Sequence, residues 1–374
     1  MRVLQVIRKM DRAGAESAIM NWYRQQDRDD IQFDFMVADP EPGAFEPEIS
    51  ELGGRVYRVQ PFTGLNGMSY RKEVRRLLED HPEWEIVHGH LGSSASRYLK
   101  EARSQGRIAI AHSHNTWGPL TPEEILFRGL AIPVRVVAQD FIGCSDQAGL
   151  DRFGQKIFHG PHYATLANGV DIERYANSEE RHQAAKEAQG WQGRTVVGNV
   201  SRLTAQKNHP FLLQAFKEYL ALDPTALLVL VGKGEDWEAL EAMARELGID
   251  GSVVFFGPTS DVPSVLKAFD IFVMPSLYEG LPVASVEAQA AGVPLLISDG
   301  VPKEALLVPQ ATQKALAEGP EAWARTMRAL VERGPYWQSG PQDVRKAGFD
   351  VRESAAWLAS HYHELQEKQR LGLL

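Results

Sequence analysis

The chain has 374 residues, 44% hydrophobic and 24% charged, with a formal net charge of −9. This is the composition of a globular protein, the length suits two domains, and the acidic charge argues against nucleic acid as the main partner. A single cysteine, Cys144, excludes an internal disulfide and is typical of a reducing compartment.

The first half of the chain alternates short apolar runs with longer helical patterns, which indicates a parallel sheet covered on both faces. Residues 3–7 form an apolar run too short for a signal peptide, and we interpret them as a strand. Further strands are predicted at 33–37, 56–59, 86–88, 108–111 and 141–144, and helices at 16–26 and 70–79. No run approaches the ~20 apolar residues of a membrane helix, so we expect a cytoplasmic protein.

The helix predicted at 70–79 is amphipathic and carries four basic residues, Arg71, Lys72, Arg75 and Arg76. Basic side chains on such a helix can contact anionic lipid headgroups, which leaves peripheral contact with the inner face of a membrane open. A solvated helix face explains the same charges, and we favour it.

Residues 172–192 are polar and charged, and we predict the interdomain connection there. A second strand series begins at residue 195 and continues at 226–231, 253–257, 271–275 and 294–298. Both halves open with a strand, a glycine-bearing loop and a helix, which is typical of two nucleotide-binding domains in series. The predicted divisions are an N-terminal domain at 1–185, a C-terminal domain at 186–353 and a final helix within 354–374.

The most informative segment is 275–292, because it follows an apolar strand and so lies where open α/β sheets bind ligands. Pro282 is suited to the first position of a helix, and Gly292 is suited to end it. The amides at this helix start, including that of Val283, would then form an anion site for a phosphate. We expect the segment to bind a phosphorylated ligand.

Two carboxylates and two cations accompany this helix start. Glu279 precedes the helix, and Glu287 lies about one and a half turns into it, where a carboxylate can accept two hydrogen bonds from a ribose diol. Arg202 and Lys207 follow the first strand of the second half, and both side chains match phosphate oxygens. Such cations stabilise the charge that grows on a leaving diphosphate.

Together these residues resemble the glycosyltransferase family 4 type of GT-B enzyme, most strongly between residues 198 and 298. The resemblance implies two Rossmann-like domains facing a central cleft, retaining transfer from a nucleotide sugar, no metal or other cofactor, and a final helix that crosses back to the N-terminal domain. It also implies that the following residues bind or act on the nucleotide sugar: Arg202, Lys207, Glu279, Gly280, Leu281, Val283 and Glu287.

The resemblance assigns roles to four of these residues. Arg202 and Lys207 would hold the diphosphate and stabilise the leaving group. Glu287 would hold the ribose, and Glu279 would meet the donor sugar. We therefore expect Arg202, Lys207 and Glu279 to be catalytic, together with a histidine from the first half.

That histidine is expected at the end of the strand at 108–111, close to the transferred sugar. His112 follows the apolar run immediately and is the better match, while His114 is the second candidate. His88 and His90 after the preceding strand are weaker candidates. Gly14, in the loop after the first strand, is the remaining glycine of a pair that the family often has there, and we expect it near a phosphate.

Two further patterns are weighed and set aside. Asp27-Arg28-Asp29 resembles a metal-binding motif of another glycosyltransferase fold, but it precedes a strand, so we interpret it as a solvated turn. The glycine-bearing loop at 232–234 is not a phosphate-binding fingerprint, although Lys233 could add charge near the phosphates.

The sequence leaves the donor base open, since uridine, guanosine and adenosine all suit these motifs; we expect the loop at 257–259 to read it. Segments 200–207 and 270–298 look closest to enzymes of capsular or exopolysaccharide assembly, which favours a saccharide or lipid-linked acceptor. Three alternatives remain: a phosphorylase-like enzyme, a non-catalytic nucleotide-sugar-binding partner subunit, and a dinucleotide-dependent oxidoreductase, which is weakened by the missing glycine fingerprint.

Overall fold

A computed structural model describes residues 1–12, 14–90, 92–114, 116 and 122–374. The described chain forms two compact units. The first comprises Met1–Gly169 together with Val351–Leu374, and the second comprises Val170–Asp350.

The first unit is built on a parallel sheet of seven strands in the order β3-β2-β1-β4-β5-β6-β7. The strands are β1 Arg2–Val6, β2 Gln32–Val37, β3 Val56–Arg58, β4 Trp84–His90, β5 Ile108–Ser113, β6 Asp140–Gly143 and β7 Tyr163–Thr165. The helices between them are α1 Gly14–Gln25, α2 Glu46–Glu51, α3 Gly67–Asp80, α4 Ala95–Ser104, α5 Pro122–Ala131, α6 Val134–Val137, α7 Asp146–Phe153 and α8 Gln155–Phe158.

Side chains of this sheet alternate between two apolar cores, because successive residues of a strand point to opposite faces. Val3 and Ile110 belong to the core that also holds α1, while Leu4 and Ala109 belong to the core beneath α3 and α4. Both faces are therefore covered, as the near-continuous apolar runs predicted. Cys144 is buried.

The second unit repeats the architecture with six parallel strands in the order β10-β9-β8-β11-β12-β13. They are β8 Val196–Val200, β9 Leu227–Val231, β10 Val253–Gly257, β11 Ile271–Met274, β12 Leu295–Ser298 and β13 Thr312–Lys314. Its α-helices are α9 Ile172–Tyr175, α10 Glu179–Gln189, α11 His209–Leu222, α12 Trp237–Glu246, α13 Val262–Leu266, α14 Val283–Ala290, α15 Pro320–Arg333 and α16 Ser339–Lys346. Short 3₁₀ helices lie at Ala205–Lys207, Asp250–Ser252, Lys303–Ala305 and Leu316–Glu318.

The final helix, α17 Val351–Arg370, belongs to the first unit and buries Leu358, Tyr362 and Leu365 in the core that holds α1. It begins three residues before the predicted position. Among the described residues, no helix combines the length and the apolar character needed to cross a membrane.

The first unit ends at residue 169, earlier than the boundary at residue 185 expected from the polar composition. Helix α10 spans that expected boundary and packs within the second unit. His182 donates a hydrogen bond to the carbonyl oxygen of Lys267 at 2.7 Å, and Lys186 forms an ion pair with Asp270 at 2.7 Å. The charged stretch is therefore the exposed face of a packed helix and not a linker.

Helix α3 uses part of its basic face inside the protein. Glu101 is fully buried and accepts hydrogen bonds from Arg71 at 2.6 Å and Arg75 at 2.9 Å. The apolar face buries Tyr70, Val74 and Leu78. Two of the four basic residues thus neutralise a buried carboxylate, which explains their presence without a lipid partner.

Candidate functional site

The sheet topology of the second unit brings two predicted loops together. Strands β8 and β11 are neighbours, yet the chain continues from β8 to β9 on one side and from β11 to β12 on the other. The loops that leave their carboxyl ends therefore diverge and open a crevice, which is where ligands bind in open α/β sheets. One loop carries Arg202 and Lys207, and the other carries Glu279, Gly280 and Leu281.

The loop after β11 leads into helix α14 much as expected. The helix begins at Val283, whose amide, like that of Ala284, is expected to have no intrahelical acceptor, whereas the Ser285 amide donates to the Pro282 carbonyl oxygen at 3.0 Å. The sequence predicts Pro282 as the first helical residue, but its backbone is extended, with φ −72° and ψ 116°. Pro282 is therefore the N-cap, one position before the helix. Gly292 follows the last turn with φ +66°, a conformation that few other residues adopt.

Lys207 and Glu279 form an ion pair within this crevice. The Lys207 Nζ lies 2.5 Å from a Glu279 carboxylate oxygen, and the two side chains are only 15% and 7% exposed. Hydrogen bonds join the loops beneath the pair: Leu277 donates its amide to the Gln206 carbonyl oxygen at 2.8 Å. The sequence predicted both residues for the site but not that they contact each other.

Asn208 shapes the turn that presents Lys207. Its backbone has φ +54°, an uncommon conformation for a residue other than glycine, and its side-chain amide donates to the carbonyl oxygen of Pro275 at 3.2 Å. The next residue, His209, is buried, and its Nε2 lies 3.1 Å from the Ser201 hydroxyl. Burial, assisted by the charge of Lys207, lowers the pKa of His209 to about 4. His209 is not among the residues predicted for the site, although its place after a strand-end loop was a signal.

Arg202 is exposed at the end of β8, and the loop that carries it is tightly backed by the loop at 232–234. A Cβ atom on Gly232 would lie 2.0 Å from the Ser201 carbonyl oxygen, and one on Gly234 would lie 2.0 Å from that of Leu203. These glycines are thus required by the packing of two neighbouring loops. Lys233 lies between them, at the rim of a cavity.

That cavity has a volume of about 600 Å³. Its lining comes from the segment after β9 and from the loop after β10, namely Lys233, Gly234, Glu235, Trp237, Glu238 and Pro258. Pro258 belongs to the loop at 257–259, for which contact with the base stays a prediction. An aromatic ring and a lysine at its wall are suited to a flat, polar ligand.

Glu287 is held by a residue that the sequence analysis did not single out. The Tyr175 hydroxyl donates a 2.6 Å hydrogen bond to the Glu287 carboxylate. Burial raises the pKa of Glu287, and the Tyr175 hydrogen bond partly opposes this rise. Tyr175 lies 112 positions away in the sequence, so no local pattern could reveal the contact.

In the first unit, four histidines form a compact array at the carboxyl ends of β4 and β5. His90 and His112 are register partners across these strands. His88 Nε2 lies 3.0 Å from His112 Nδ1, and His90 Nδ1 lies 2.8 Å from His114 Nε2. The ring of Trp22 stacks on His112 at a centroid distance of 5.5 Å. The weaker candidates His88 and His90 therefore belong to the same cluster as His112.

Burial keeps these rings neutral. It lowers the pKa of His88, His90 and His112 well below the usual value, and that of His114 to about 4. A neutral imidazole offers one donor and one acceptor nitrogen. His112 can therefore hydrogen-bond a sugar without carrying a charge.

Gly14 is the first residue of α1 and is exposed. A Cβ atom there would meet no atom within 4 Å, so packing within the protein does not explain the glycine. Strands β1 and β4 are neighbours from which the chain diverges, so the Gly14 loop and the β4 histidines share the switch point of this sheet. Asp27-Arg28-Asp29, in contrast, is an exposed turn, as interpreted.

Comparison with known proteins agrees with this architecture. Residues 181–347 match the model of the family described as glycosyl transferases group 1. The chain is 32% identical to the putative glycosyltransferase EpsF of Bacillus subtilis, with 98% of this chain and 97% of that protein aligned. It is 33% identical over 140 residues, 36% of each chain, to an Escherichia coli UDP-Gal:alpha-D-GlcNAc-diphosphoundecaprenol alpha-1,3-galactosyltransferase.

The crystal structure of Anabaena Alr3699/HepE in complex with UDP and glucose has a similar fold. Its TM-score to this chain is 0.81 at 20% identity, with 97% of this chain and 99% of that chain covered. The two Rossmann-like parallel-sheet units are those of the GT-B fold. From the full-length match to EpsF and the group 1 family model, we conclude that the chain belongs to the glycosyltransferases of the family 4 type.

Proposed function

We propose that the protein transfers a hexosyl group, with retention of configuration, from a nucleoside diphosphate sugar to a saccharide or lipid-linked acceptor. The products are the glycosylated acceptor, the nucleoside diphosphate and one proton. The observation that carries the proposal is the Lys207–Glu279 ion pair beside the start of α14, at the switch point of the second sheet.

The charge distribution of this crevice suits a diphosphate. Lys207, the exposed Arg202 and the free amides at the start of α14 offer positive charge within one crevice. When the glycosidic bond to the diphosphate breaks, negative charge grows on the leaving oxygen, and these groups stabilise it. We therefore propose that the diphosphate is neutralised by protein groups and that transfer needs no metal ion.

Ligand binding would change the partners of Lys207. A diphosphate oxygen can replace Glu279 as the acceptor of the lysine, which releases the Glu279 carboxylate for a hydroxyl of the donor sugar. Glu287, held by Tyr175, is proposed to bind the ribose diol, and the cavity lined by Lys233 and Pro258 is proposed to receive the base. We propose UDP as the first candidate, since the similar Alr3699/HepE structure contains UDP and glucose.

The acceptor is proposed from the relatives. EpsF matches along its length, and the E. coli relative is named for transfer to a sugar diphosphoundecaprenol. A role in the synthesis of cell-surface polysaccharide or glycoconjugate follows from this similarity. We propose that the protein works in the cytoplasm, with peripheral contact at the inner face of the membrane, which co-sedimentation with anionic lipid vesicles tests.

The first experiment is thermal unfolding with UDP, GDP, ADP, CMP or NAD, each with and without EDTA. A ligand at a hundred times its dissociation constant adds about 2.7 kcal/mol to stability, which shifts the midpoint visibly. We expect a nucleoside diphosphate to stabilise the protein in EDTA. A shift with NAD alone would instead favour an oxidoreductase and contradict the proposal.

A second experiment separates an enzyme from a non-catalytic binding subunit. The nucleotide sugar of the stabilising base is incubated with the protein, and the anomeric configuration of the product is read by proton NMR. Release of the nucleoside diphosphate with a retained anomer supports the proposal. Binding without turnover, with or without acceptor lipid, would show a partner subunit.

A further inference from the structure

Gln5 occupies the centre of the histidine array in the first unit. It lies on β1, is fully buried, and pairs in register with His88 on β4. Its amide nitrogen donates to the Tyr362 hydroxyl oxygen at 3.2 Å, and its amide oxygen accepts from His90 Nε2 at 2.8 Å. The amide nitrogen of Gln5 can only donate and its oxygen can only accept. Gln5 therefore donates into the branch that runs through Tyr362 and accepts from the branch that runs through His90.

The first branch runs through Tyr362 to His112. The Tyr362 oxygen accepts from Gln5, and among the described residues only His88 Nδ1, 2.6 Å away, lies where it can accept the tyrosine proton, so we assign the proton to that contact. The neutral His88 ring then carries its proton on Nε2, which donates to His112 Nδ1 at 3.0 Å. His112 must therefore carry its own proton on Nε2. That atom is buried and has no partner among the described residues.

The second branch runs from Gln5 through His90 to His114. The Gln5 oxygen requires a proton on His90 Nε2, which leaves His90 Nδ1 as an acceptor. His114 Nε2 must then supply the proton of the 2.8 Å contact between these two rings. The same amide thus imposes the Nε2–H tautomer on His88, His90 and His112. In His114 the same tautomer requires that the Asn168 side chain, which also bonds to this ring, donates its amide N–H to Nδ1.

We propose that Gln5 and Tyr362 are positioning residues that hold His112 in the Nε2–H tautomer, so that its buried Nε2 carries an unpartnered hydrogen-bond donor for a substrate oxygen that enters the site. The role of His112 towards the substrate rests on the proposed function. The assignment of its tautomer does not rest on that function. A donor can serve sugar or phosphate oxygens that carry no proton. The other tautomer would present a lone pair to the same oxygens and would repel them.

The contacts within the array favour this network over a metal site. Ligand nitrogens of His88, His90 and His112 all lie within 4.8 Å of one another, which is compatible with a metal ion. Their lone pairs and protons, however, are directed at each other. The 3.0 Å separation between His88 and His112 is shorter than the roughly 3.3 Å that two imidazoles keep on one tetrahedral zinc ion.

The tautomers can be read directly from long-range proton–nitrogen NMR spectra of the EDTA-treated protein, labelled with ¹⁵N-histidine. We expect protonated Nε2 and unprotonated Nδ1 in His88, His90, His112 and His114. Protonated Nδ1 at His112 would overturn the proposal. So would zinc-dependent shifts that EDTA reverses, because they would show a metal site.

Removal of the Tyr362 hydroxyl tests the positioning role. In Tyr362→Phe, we expect His88 and His112 to populate both tautomers while His90 and His114 keep theirs. With UDP-glucose, kcat should fall at least tenfold and KM should change less than twofold. Tyr219→Phe is the matched control, since its hydroxyl is also buried but has no partner among the described residues.

The outcomes separate the network from the proposed function. An unchanged His112 tautomer in Tyr362→Phe, or a changed tautomer with an unchanged kcat, would refute the positioning role. If the wild-type protein does not turn over UDP-glucose, glucose is not the transferred sugar. The kinetic comparison is then made with the nucleotide sugar that the protein does turn over, and the wild-type NMR spectrum still decides the tautomer.

Discussion

At the scale of single residues, the site of the second unit contains two carboxylates with different partners: Glu279 pairs with a cation, and Glu287 accepts a hydrogen bond from a hydroxyl. Lys207 and Glu279 are mostly buried, so each lowers the cost of burying the other. Among the described residues Glu287 forms no ion pair; it accepts a hydrogen bond from the Tyr175 hydroxyl, and the charge of Arg174 acts on it more weakly. These two carboxylates should therefore respond differently to substitution.

Substitution of Lys207 with alanine should reduce turnover about 10²- to 10³-fold, because the leaving diphosphate loses a preplaced cation. It also removes the cation paired with the mostly buried Glu279, so the free energy of unfolding should fall. Steady-state kinetics and urea unfolding measure the two effects. Lys314→Ala is the control, since Lys314 pairs with the exposed Glu318; a loss of turnover in both variants would contradict a specific role.

Glu287→Gln should weaken nucleotide binding roughly 10- to 100-fold, because a hydrogen bond to a charged group contributes about 1.5–3 kcal/mol. The same variant should unfold at a higher temperature than the wild type. The folded-state pKa of Glu287 is raised, so the carboxylate costs stability as the pH rises through that pKa. The difference in unfolding temperature between the variant and the wild type should therefore be larger at pH 8 than at pH 5. An equal difference at the two pH values would contradict the raised pKa of Glu287.

At the scale of secondary-structure elements, the site depends on how closely neighbouring strand-end loops pack. The loop after β9 presses against the loop after β8 through two glycines, and this contact fixes the backbone that carries Arg202. The loops after β8 and β11 are joined by a backbone hydrogen bond from Leu277 to Gln206 and by side-chain hydrogen bonds from Gln206 and Asn208. The geometry of the cations is thus set by loops and not by the helices that follow them.

Gly234→Ala should destabilise the second unit by about 1–3 kcal/mol and weaken nucleotide binding, because the new Cβ atom would overlap the Leu203 backbone. Gly251→Ala is the matched control, since a Cβ atom there meets no atom within 4 Å. Thermal unfolding and nucleotide titration of both variants test this. If the two variants were equally stable, the loops would have to accommodate the Cβ atom at position 234 with no loss in the free energy of unfolding.

At the scale of the whole molecule, one chain forms two units whose parallel sheets share a strand order. Their switch points, however, carry different chemical groups. The first unit gathers buried neutral histidines, and the second gathers partly buried charges. Neutral histidines link folding to pH, because the unfolded chain binds protons that the folded chain does not.

The free energy of unfolding should therefore decrease as the pH falls below about 6.5. Each buried histidine contributes up to about 1.4 kcal/mol per pH unit until its lowered pKa is reached, which for His114 is about 4. Urea unfolding between pH 7 and pH 5 measures the slope. His90→Gln should reduce it, whereas His159→Gln, at an exposed position, should not; identical slopes would contradict the linkage.

The sequence alone determined the elements and the chemistry that is local in the chain. Apolar runs located the long strands, since buried parallel strands leave a continuous apolar signal. The edge strands Tyr163–Thr165 and Thr312–Lys314 were missed, because they are short and only partly buried. The segment 275–292 placed Glu279 and Glu287 correctly around a helix start.

Tertiary structure decided every contact between groups distant in the chain. Lys207 meets Glu279 across 72 positions, Tyr175 meets Glu287 across 112, and Gln5 meets Tyr362 across 357. Parallel strands return to the same edge of the sheet after long crossovers, so contacts at that edge follow strand order and not sequence separation. Local patterns can identify which residues lie at such an edge, but only the fold determines which of them touch.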